Sequence, residues 1–506
     1  MFLKLHDFID NRLSPTLVRE IRQLVRNRFI VVMLNLYLLI LSVVTLVTIT
    51  TSSFSGADAG LGAGLYSFQM GFFFFFAFTV VNLYMAVILS QERITNDLMF
   101  TTIIKPSGFV LGKLMSGIVL TFLFFCATLP FFTISYMLRG LDLRAIFDSS
   151  YYGALVLAFS MALTILVFGR VKTYVQMIGL LILYSFLCIF GLSGLMNIFL
   201  FVTFGGGAFF WGALPINIWF WNGFFVISTM CVILSGAICR VAPTNTNRIM
   251  PFRIVYTIYL LATLVVAYVF DVTFSASGYF FSVTLFVHYF FFLAFIVISA
   301  CGRETWGLRL KRTIPKSGLL RLLVFPFYSG AVNGYFWLIG IGAIITWFYW
   351  MCCQKTTYGW LLNDEIPFYC VTWALMVYAF STIAMIVRSR FLRRFFTAEH
   401  NWLLALALFG AFYALYFTIR ILLYYNASPY DNILLDYDTI GRTMIIATIW
   451  SIAATALLIP WTLKRVPHFT PVVAKDELTF EKAKQLCDRM SFGTNFETNV
   501  EVVADN

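Results

Sequence analysis

The sequence predicts an all-α membrane protein that crosses the bilayer many times, and its composition is the first observation behind that prediction. Of 506 residues, 61% are hydrophobic and only 11% are charged, and the mean hydropathy is +0.87. A soluble domain is about 45–50% apolar and about 25% charged, so much of this chain must face hydrocarbon. The apolar runs are continuous rather than alternating, which favours spanning helices over a β-barrel.

The number of apolar runs is the second observation. A spanning helix needs roughly 20 apolar residues, and about twelve stretches of the sequence have the required character. They lie near residues 29–50, 66–89, 115–137, 152–169, 175–201, 218–239, 254–270, 279–300, 331–352, 366–387, 401–424 and 443–463. Because twelve is an even number, both termini are expected on the same side of the membrane.

The distribution of basic residues is the third observation, and it orients the chain. If both termini are cytoplasmic, the segments on the inside hold 30 of the 35 Lys and Arg residues. The opposite orientation would place that excess outside, against the positive-inside rule. The basic residues are also dispersed over many short loops, so the net charge of +12 does not predict a nucleic-acid partner.

The twelve predicted spans suggest two six-helix halves with additional segments at both ends. The predicted domains are an amphipathic interfacial helix at 1–28, a first six-helix unit at 29–240, a second at 241–463 and a polar cytoplasmic tail at 464–506. The loops after the second span of each half share an acidic residue followed by Pro, Lys, Ser and Gly, which suggests a duplication.

The interfacial helix is predicted from its start signal and its periodicity. Ser14 is a preferred N-cap residue, and Pro15 suits the first helical position. Apolar residues then recur at helical spacing, while Arg19, Arg22 and Arg26 fill the polar face. A helix of this kind lies in the plane of the membrane surface rather than across it.

The sequence predicts no catalytic, cofactor or metal site. It contains no G-x-x-x-x-G-K-[ST] phosphate loop, and its four histidines form no zinc-spaced pair. His288 lies within a predicted span, where packing or an inter-helix hydrogen bond is the simplest role. Three polar residues in predicted spans are candidates for lining a pathway, with inter-helix hydrogen bonds as the alternative for each: Asn82, Asn222 and Asn333.

The polar stretch between the second and third predicted spans, residues 91–113, is the most informative part of the sequence. Its charged and turn-forming residues are Glu92, Arg93, Asp97, Lys105, Pro106, Gly112 and Lys113. Together with the amphipathic helix before the first span, this pattern resembles the membrane subunit of type-2 ATP-binding-cassette exporters. In that family the first helix is an interfacial elbow, and the loop after the second span forms a coupling helix that sits in a groove of the ATPase.

The resemblance implies that this chain is the transmembrane subunit of an ATP-driven exporter whose ATPase is a separate polypeptide. Loop 90–114 would dock the ATPase through the seven residues just given, and Glu304 is the corresponding candidate in the second half. The implied location is the plasma membrane, as in a bacterial inner membrane. The sequence leaves open whether one chain or a homo- or heterodimer of membrane subunits forms the pathway.

Two other functions stay open at this point. A membrane-embedded enzyme, such as a lipid-linked glycosyltransferase or polymerase, would use acidic residues on outer loops. The candidates are Asp142, Asp148 and the cluster of Asp431, Asp436 and Asp438. An ion-coupled secondary transporter normally keeps ionisable groups at mid-depth in the membrane. No Asp or Glu lies well inside a predicted span, which disfavours that function.

Overall fold

The computed structural model describes most of the helical part of the chain. The described residues are 15–51, 61–95, 106–138, 143–169, 174–175, 177–182, 216–242, 247–274, 279–302, 308–355, 365–391, 403–412, 437–465 and 469. Within these ranges the regular structure is helical, and there is no strand. The chain is therefore an all-α protein, and its long apolar helices make it a multi-pass membrane protein.

The chain divides into two compact units. Unit 1 comprises Met1–Pro243 and Pro251–Tyr259, and unit 2 comprises Thr244–Met250 and Leu260–Asn506. The change from one unit to the other falls close to the predicted boundary between the two halves, at residue 240. That the units are repeats of one another stays a prediction.

Unit 1 is assembled around one long helix, α5. Its helices are α1 (Pro15–Arg26), α2 (Arg28–Thr51), α3 (Leu61–Phe76), α4 (Asn82–Thr95), α5 (Pro106–Met137), α6 (Leu143–Phe168) and α7 (Ile216–Val241), with a π-helical turn at Ala77–Val81 joining α3 to α4. The long helix α5 contacts every one of these elements. The next helix, α8 (Ile249–Phe274), contributes its Pro251–Tyr259 part to unit 1.

Unit 2 continues from α8 with both long and short helices. They are α9 (Tyr279–Ala300), α10 (Leu308–Arg312), α11 (Gly318–Val324), a 3-10 turn at Phe325–Phe327, α12 (Ala331–Lys355), α13 (Glu365–Arg390), α14 (Leu403–Phe412) and α15 (Tyr437–Arg465). Helix α13 packs along α15 and also contacts α9, which in turn packs on α12. The short elements α10 and α11 therefore lie in the connection between two long apolar helices.

Eight of the described helical stretches are long and apolar enough to cross a membrane. Of the twelve predicted spans, 175–201 and 401–424 lie largely outside the described residues. The predicted spans 279–300 and 443–463 are helical, but their described apolar stretches are shorter, at Val287–Ala300 and Ile445–Pro460. The total of twelve crossings, like the cytoplasmic location of the termini, stays a prediction.

The polar stretch predicted at 91–113 is shorter in the structure. Helix α4 continues to Thr95 and α5 already begins at Pro106, so only residues 96–105 connect them, and Gly112 and Lys113 lie inside α5. Proline at the first position of a helix costs no hydrogen bond, because that N–H has no helical acceptor. Helices can also extend beyond the hydrocarbon, which composition alone does not reveal.

The predicted outer loop around Asp148 also needs a correction. Asp148 lies within α6 and is only 2% exposed, so it is not a loop residue available to an outer substrate. The other candidate acids of the enzyme hypothesis are not tested. Asp142, Asp431 and Asp436 lie outside the described residues, and Asp438 is described only as part of the α15 backbone.

Side-chain hydrogen bonds join the apolar helices of unit 1. The Tyr37 hydroxyl of α2 and the Thr128 hydroxyl of α5 lie 2.7 Å apart. Gln69 of α3 donates to the Thr45 hydroxyl of α2 at 3.3 Å and accepts from the Ser135 hydroxyl of α5 at 2.8 Å. Such bonds contribute about 0.6 kcal/mol each within a membrane, and they fix which helix faces meet.

Close packing between α3 and α6 depends on a residue without a side chain. A Cβ atom added at Gly153 of α6 would overlap the ring of Phe74 in α3. We expect Gly153→Val to destabilise the protein by about 1–3 kcal/mol, because a well-packed interior accommodates added methyl groups only with strain. The measurement is the thermal unfolding midpoint of the purified protein in detergent.

The matched control is Gly340→Val in α12, where an added Cβ would meet no heavy atom within 4 Å. This variant should unfold at the same temperature as the native protein. Equal losses of stability in the two variants would show that the packing at Gly153 is not special.

Candidate functional site

The candidate site is a buried ion cluster at the end of unit 1 where α1, α4 and α5 meet. The Lys113 ammonium group of α5 donates to Glu20 Oε2 of α1 at 2.6 Å and to Glu92 Oε1 of α4 at 2.7 Å. It also lies 2.7 Å from Glu92 Oε2. We call Glu20, Glu92 and Lys113 the Lys113 clamp, since one ammonium group holds carboxylates from two other helices.

Burial gives the Lys113 clamp its importance. The side chain of Lys113 is 1% exposed, and those of Glu20 and Glu92 are 7% and 15% exposed. An isolated charge at such burial is very unfavourable, so each group requires its partners. The Phe109 ring, one turn before Lys113, has its centroid 5.9 Å from the ammonium nitrogen and adds a weak cation–π contact.

Arg19 balances the charge of the cluster. Two carboxylates and one ammonium would leave an excess negative charge, and the Arg19 guanidinium donates to Glu20 Oε1 at 3.1 Å. Arg19 is 45% exposed, so its contribution is screened by solvent. Arg22 and Arg26 of α1 are exposed, as the sequence predicts for the polar face of an interfacial helix.

A second contact fixes the turn between α1 and α2. Asn27, the residue between these helices, donates from Nδ2 to the Tyr84 hydroxyl of α4 at 2.8 Å. Its Oδ1 accepts the backbone N–H of Phe29 at 3.0 Å, and the ring of Phe29 stacks on that of Tyr84 with centroids 5.9 Å apart. Helix α1 is therefore held to α4 through Asn27 at its C-terminal end and to α5 through Glu20.

The ion pair between Glu92 and Lys113 joins the helices on either side of the connection at residues 96–105. Glu92 lies in the last turn of α4, three residues before Thr95, and Lys113 lies two turns into α5, which begins at Pro106. A displacement of the connection must therefore move α4, α5 and α1 together or break a buried ion pair. The three charged side chains of the cluster are bound to one another, and the cluster joins three helices.

The structure brings together some of the predicted docking residues and not others. Glu92 and Lys113 are paired with each other, and Gly112 is buried beside them. Arg93 is described only as part of the α4 backbone. The predicted docking residues Asp97, Lys105 and Glu304 lie outside the described residues, and their docking role stays a prediction.

The three asparagines predicted as pathway residues occupy different environments. Asn82 is fully buried and donates to the Ser160 hydroxyl of α6 at 2.8 Å. Asn333 donates to the Phe325 carbonyl at 2.6 Å, and Asn222 is half-buried in α7. The Nε2 of His288 lies 2.7 Å from the Thr263 hydroxyl, which is the inter-helix hydrogen bond expected for it.

The sequence did not predict that Glu20 and Tyr84 take part in the polar contacts at this end of unit 1. A signal for Glu20 was present, because a single acidic residue among the arginines of the interfacial helix needs a basic partner. In the part of the chain that the structure describes, no group of three or more His, Cys, Asp or Glu residues could hold a metal ion.

Comparison with known proteins assigns the chain to no family. No family model matches the sequence, and neither a curated protein nor a solved structure is significantly similar to it. The argument for function therefore rests on the sequence motif and on the geometry of the Lys113 clamp.

We expect Lys113→Met to destabilise unit 1 by about 3 kcal/mol, because removing one partner of a buried ion pair leaves the other charges uncompensated. The interfacial helix should also loosen. Limited trypsin digestion should then cut the variant faster than the native protein after Arg22 and Arg26. The control is Lys316→Met, which removes an exposed lysine and should change neither readout.

A charge exchange tests the pairing directly. The single variant Glu92→Lys places two ammonium groups side by side and should be strongly destabilised. Adding Lys113→Glu restores an opposite-charge pair between positions 92 and 113, although the carboxylate at 113 then faces that of Glu20. The double variant should therefore recover at least about 1 kcal/mol relative to the sum of the single effects. Strictly additive losses in thermal unfolding would show that the two side chains do not interact.

Proposed function

We propose that this chain is the transmembrane subunit of an ATP-driven exporter and that it couples to a separate ATPase through the connection at 96–105. The single observation that supports the proposal best is the Lys113 clamp. It joins both ends of the connection to the interfacial helix, so a force applied at the connection reaches three helices at once.

The motif supports the same function independently. The amphipathic helix before the first span and the Glu-to-Gly-Lys pattern of residues 92–113 resemble the membrane subunits of type-2 ATP-binding-cassette exporters. The sequence lacks a phosphate loop of its own, so ATP hydrolysis is assigned to the partner. The partner would contact residues 93–105, since Glu92 and Lys113 already neutralise each other inside the unit.

The experiment uses the full chain, purified together with an ABC ATPase encoded beside it. The native chain should retain the ATPase and stimulate its ATP hydrolysis. Asp97→Lys should weaken that association by about tenfold, equivalent to ~1.4 kcal/mol, because it reverses a charge in the predicted docking loop. The matched control is Asp364→Lys, which makes the same charge change in a loop predicted on the opposite side of the membrane.

The Lys113→Met variant separates docking from coupling in the same assay. Its docking loop is unchanged in sequence, so it should still bind the ATPase, but its stimulation of hydrolysis should fall. If the native chain neither retains the ATPase nor alters its rate, the exporter proposal fails. Loss of association in both Asp97→Lys and Asp364→Lys would instead remove the loop as the docking element.

A further inference from the structure

The connection between α9 and α12 combines basic residues with exposed leucines. From Leu308 to Gly330 the sequence holds five basic residues and no acidic residue. Four leucines of the short helix α11 have more than half of their surface exposed: Leu319 at 74%, Leu320 at 52%, Leu322 at 75% and Leu323 at 58%. We call these four residues the leucine face.

The leucine face belongs to a folded segment. Leu310, Ile314, Tyr328 and Phe469 form a small buried cluster, against which Val324 and Phe325 pack. The Tyr328 hydroxyl donates to the Thr313 carbonyl at 2.7 Å, which closes the segment across fifteen residues. The exposure of the leucines therefore results from a defined backbone that directs them outward, away from this cluster.

The geometry of α11 makes it amphipathic despite its length. At about 100° per residue, the four leucines occupy one arc of about 160°, and Arg321 lies opposite them. The Arg321 guanidinium donates from Nη2 to the Lys316 carbonyl at 3.0 Å and from Nε to the Pro315 carbonyl at 3.4 Å. With seven residues, α11 is only about 10 Å long, so it cannot cross the bilayer.

Its position in the chain keeps this segment close to the membrane. The apolar helix α9 ends at Ala300 and α12 begins at Ala331. Phe469, four residues after the end of α15, packs on Phe325 and Tyr328 with ring centroids 5.1 Å away in each case. The segment therefore lies where apolar helices of unit 2 end, which is the level of the lipid headgroups.

We propose that residues 308–330 form a lipid-binding segment that lies in the membrane interface. The leucine face enters the acyl region, and the basic residues bind the headgroups of anionic phospholipids. Exposed leucines find an apolar environment there, and clustered Lys and Arg are attracted to an anionic surface. Lipid is favoured over a soluble protein because the face is purely aliphatic and adjoins helices that already contact lipid. The proposal does not depend on coupling to an ATPase.

The test places a photo-crosslinking amino acid, p-benzoylphenylalanine, at position 322 of the full chain. The protein is reconstituted in vesicles of equimolar phosphatidylcholine and phosphatidylglycerol, irradiated, and analysed by mass spectrometry for lipid adducts. We expect adducts at position 322 with a yield close to that from position 339, where Ile339 is 68% exposed on α12. Position 310, where Leu310 is 5% exposed, should give none.

The headgroup preference is measured as the ratio of phosphatidylglycerol to phosphatidylcholine adducts at position 322. The double change Arg312→Gln and Lys316→Gln should lower this ratio at least about fivefold, the effect of one basic residue near an anionic surface. The ratio at position 339 should stay constant. If the double variant does not fold, raising the salt concentration on the native sequence provides the same comparison, because salt screens surface charges.

Two results would overturn the proposal. Lipid adducts at position 339 but none at position 322 would show that the leucine face does not enter the membrane, and crosslinks from 322 to a second copy of the chain would identify a protein as its occupant. An adduct ratio at 322 that responds to neither the double change nor salt would remove the preference for anionic lipid.

Discussion

A buried ammonium group must be paired, and the end of unit 1 is arranged to satisfy that requirement for Lys113. Its two carboxylate partners come from different helices, and one of these helices lies outside the predicted spans. Since the penalty for breaking such a pair is several kcal/mol, α1, α4 and α5 behave as one body at this end. The Lys113 clamp therefore determines which parts of unit 1 can move independently.

The hydrogen bonds within the spans have a different role. The pairs Tyr37 with Thr128 and Asn82 with Ser160 each contribute a fraction of the energy of the Lys113 clamp. They select the register and rotation of neighbouring helices but leave room for small sliding movements. A unit with a rigid end and weakly bonded spans can transmit a displacement from that end along the helices. This distribution of strong and weak contacts suits the proposed coupling role.

The helical membrane class and the positions of most spans were predictable. A continuous apolar run that crosses a bilayer must satisfy its own backbone hydrogen bonds, and an α-helix does so. Helix α1 was predictable from Pro15 and from the spacing of its arginines, whereas its position at the membrane surface stays a prediction. The burial of Lys113 was not, because a lysine beside a glycine near a span normally indicates the membrane surface. Its partner Glu20 lies 93 residues away in the chain, and a single sequence contains no information about which distant charges pair.

The two units differ at the point where the sequence echo would make them equivalent. If Ser107 is aligned with Ser317, the position six residues later is Lys113 in the first half and Leu323 in the second. A buried ammonium group thus corresponds to an exposed leucine, and the second half cannot form the same clamp at this position. The aligned position is thus part of a buried ion pair in the first half and carries an exposed side chain in the second, where we propose contact with lipid.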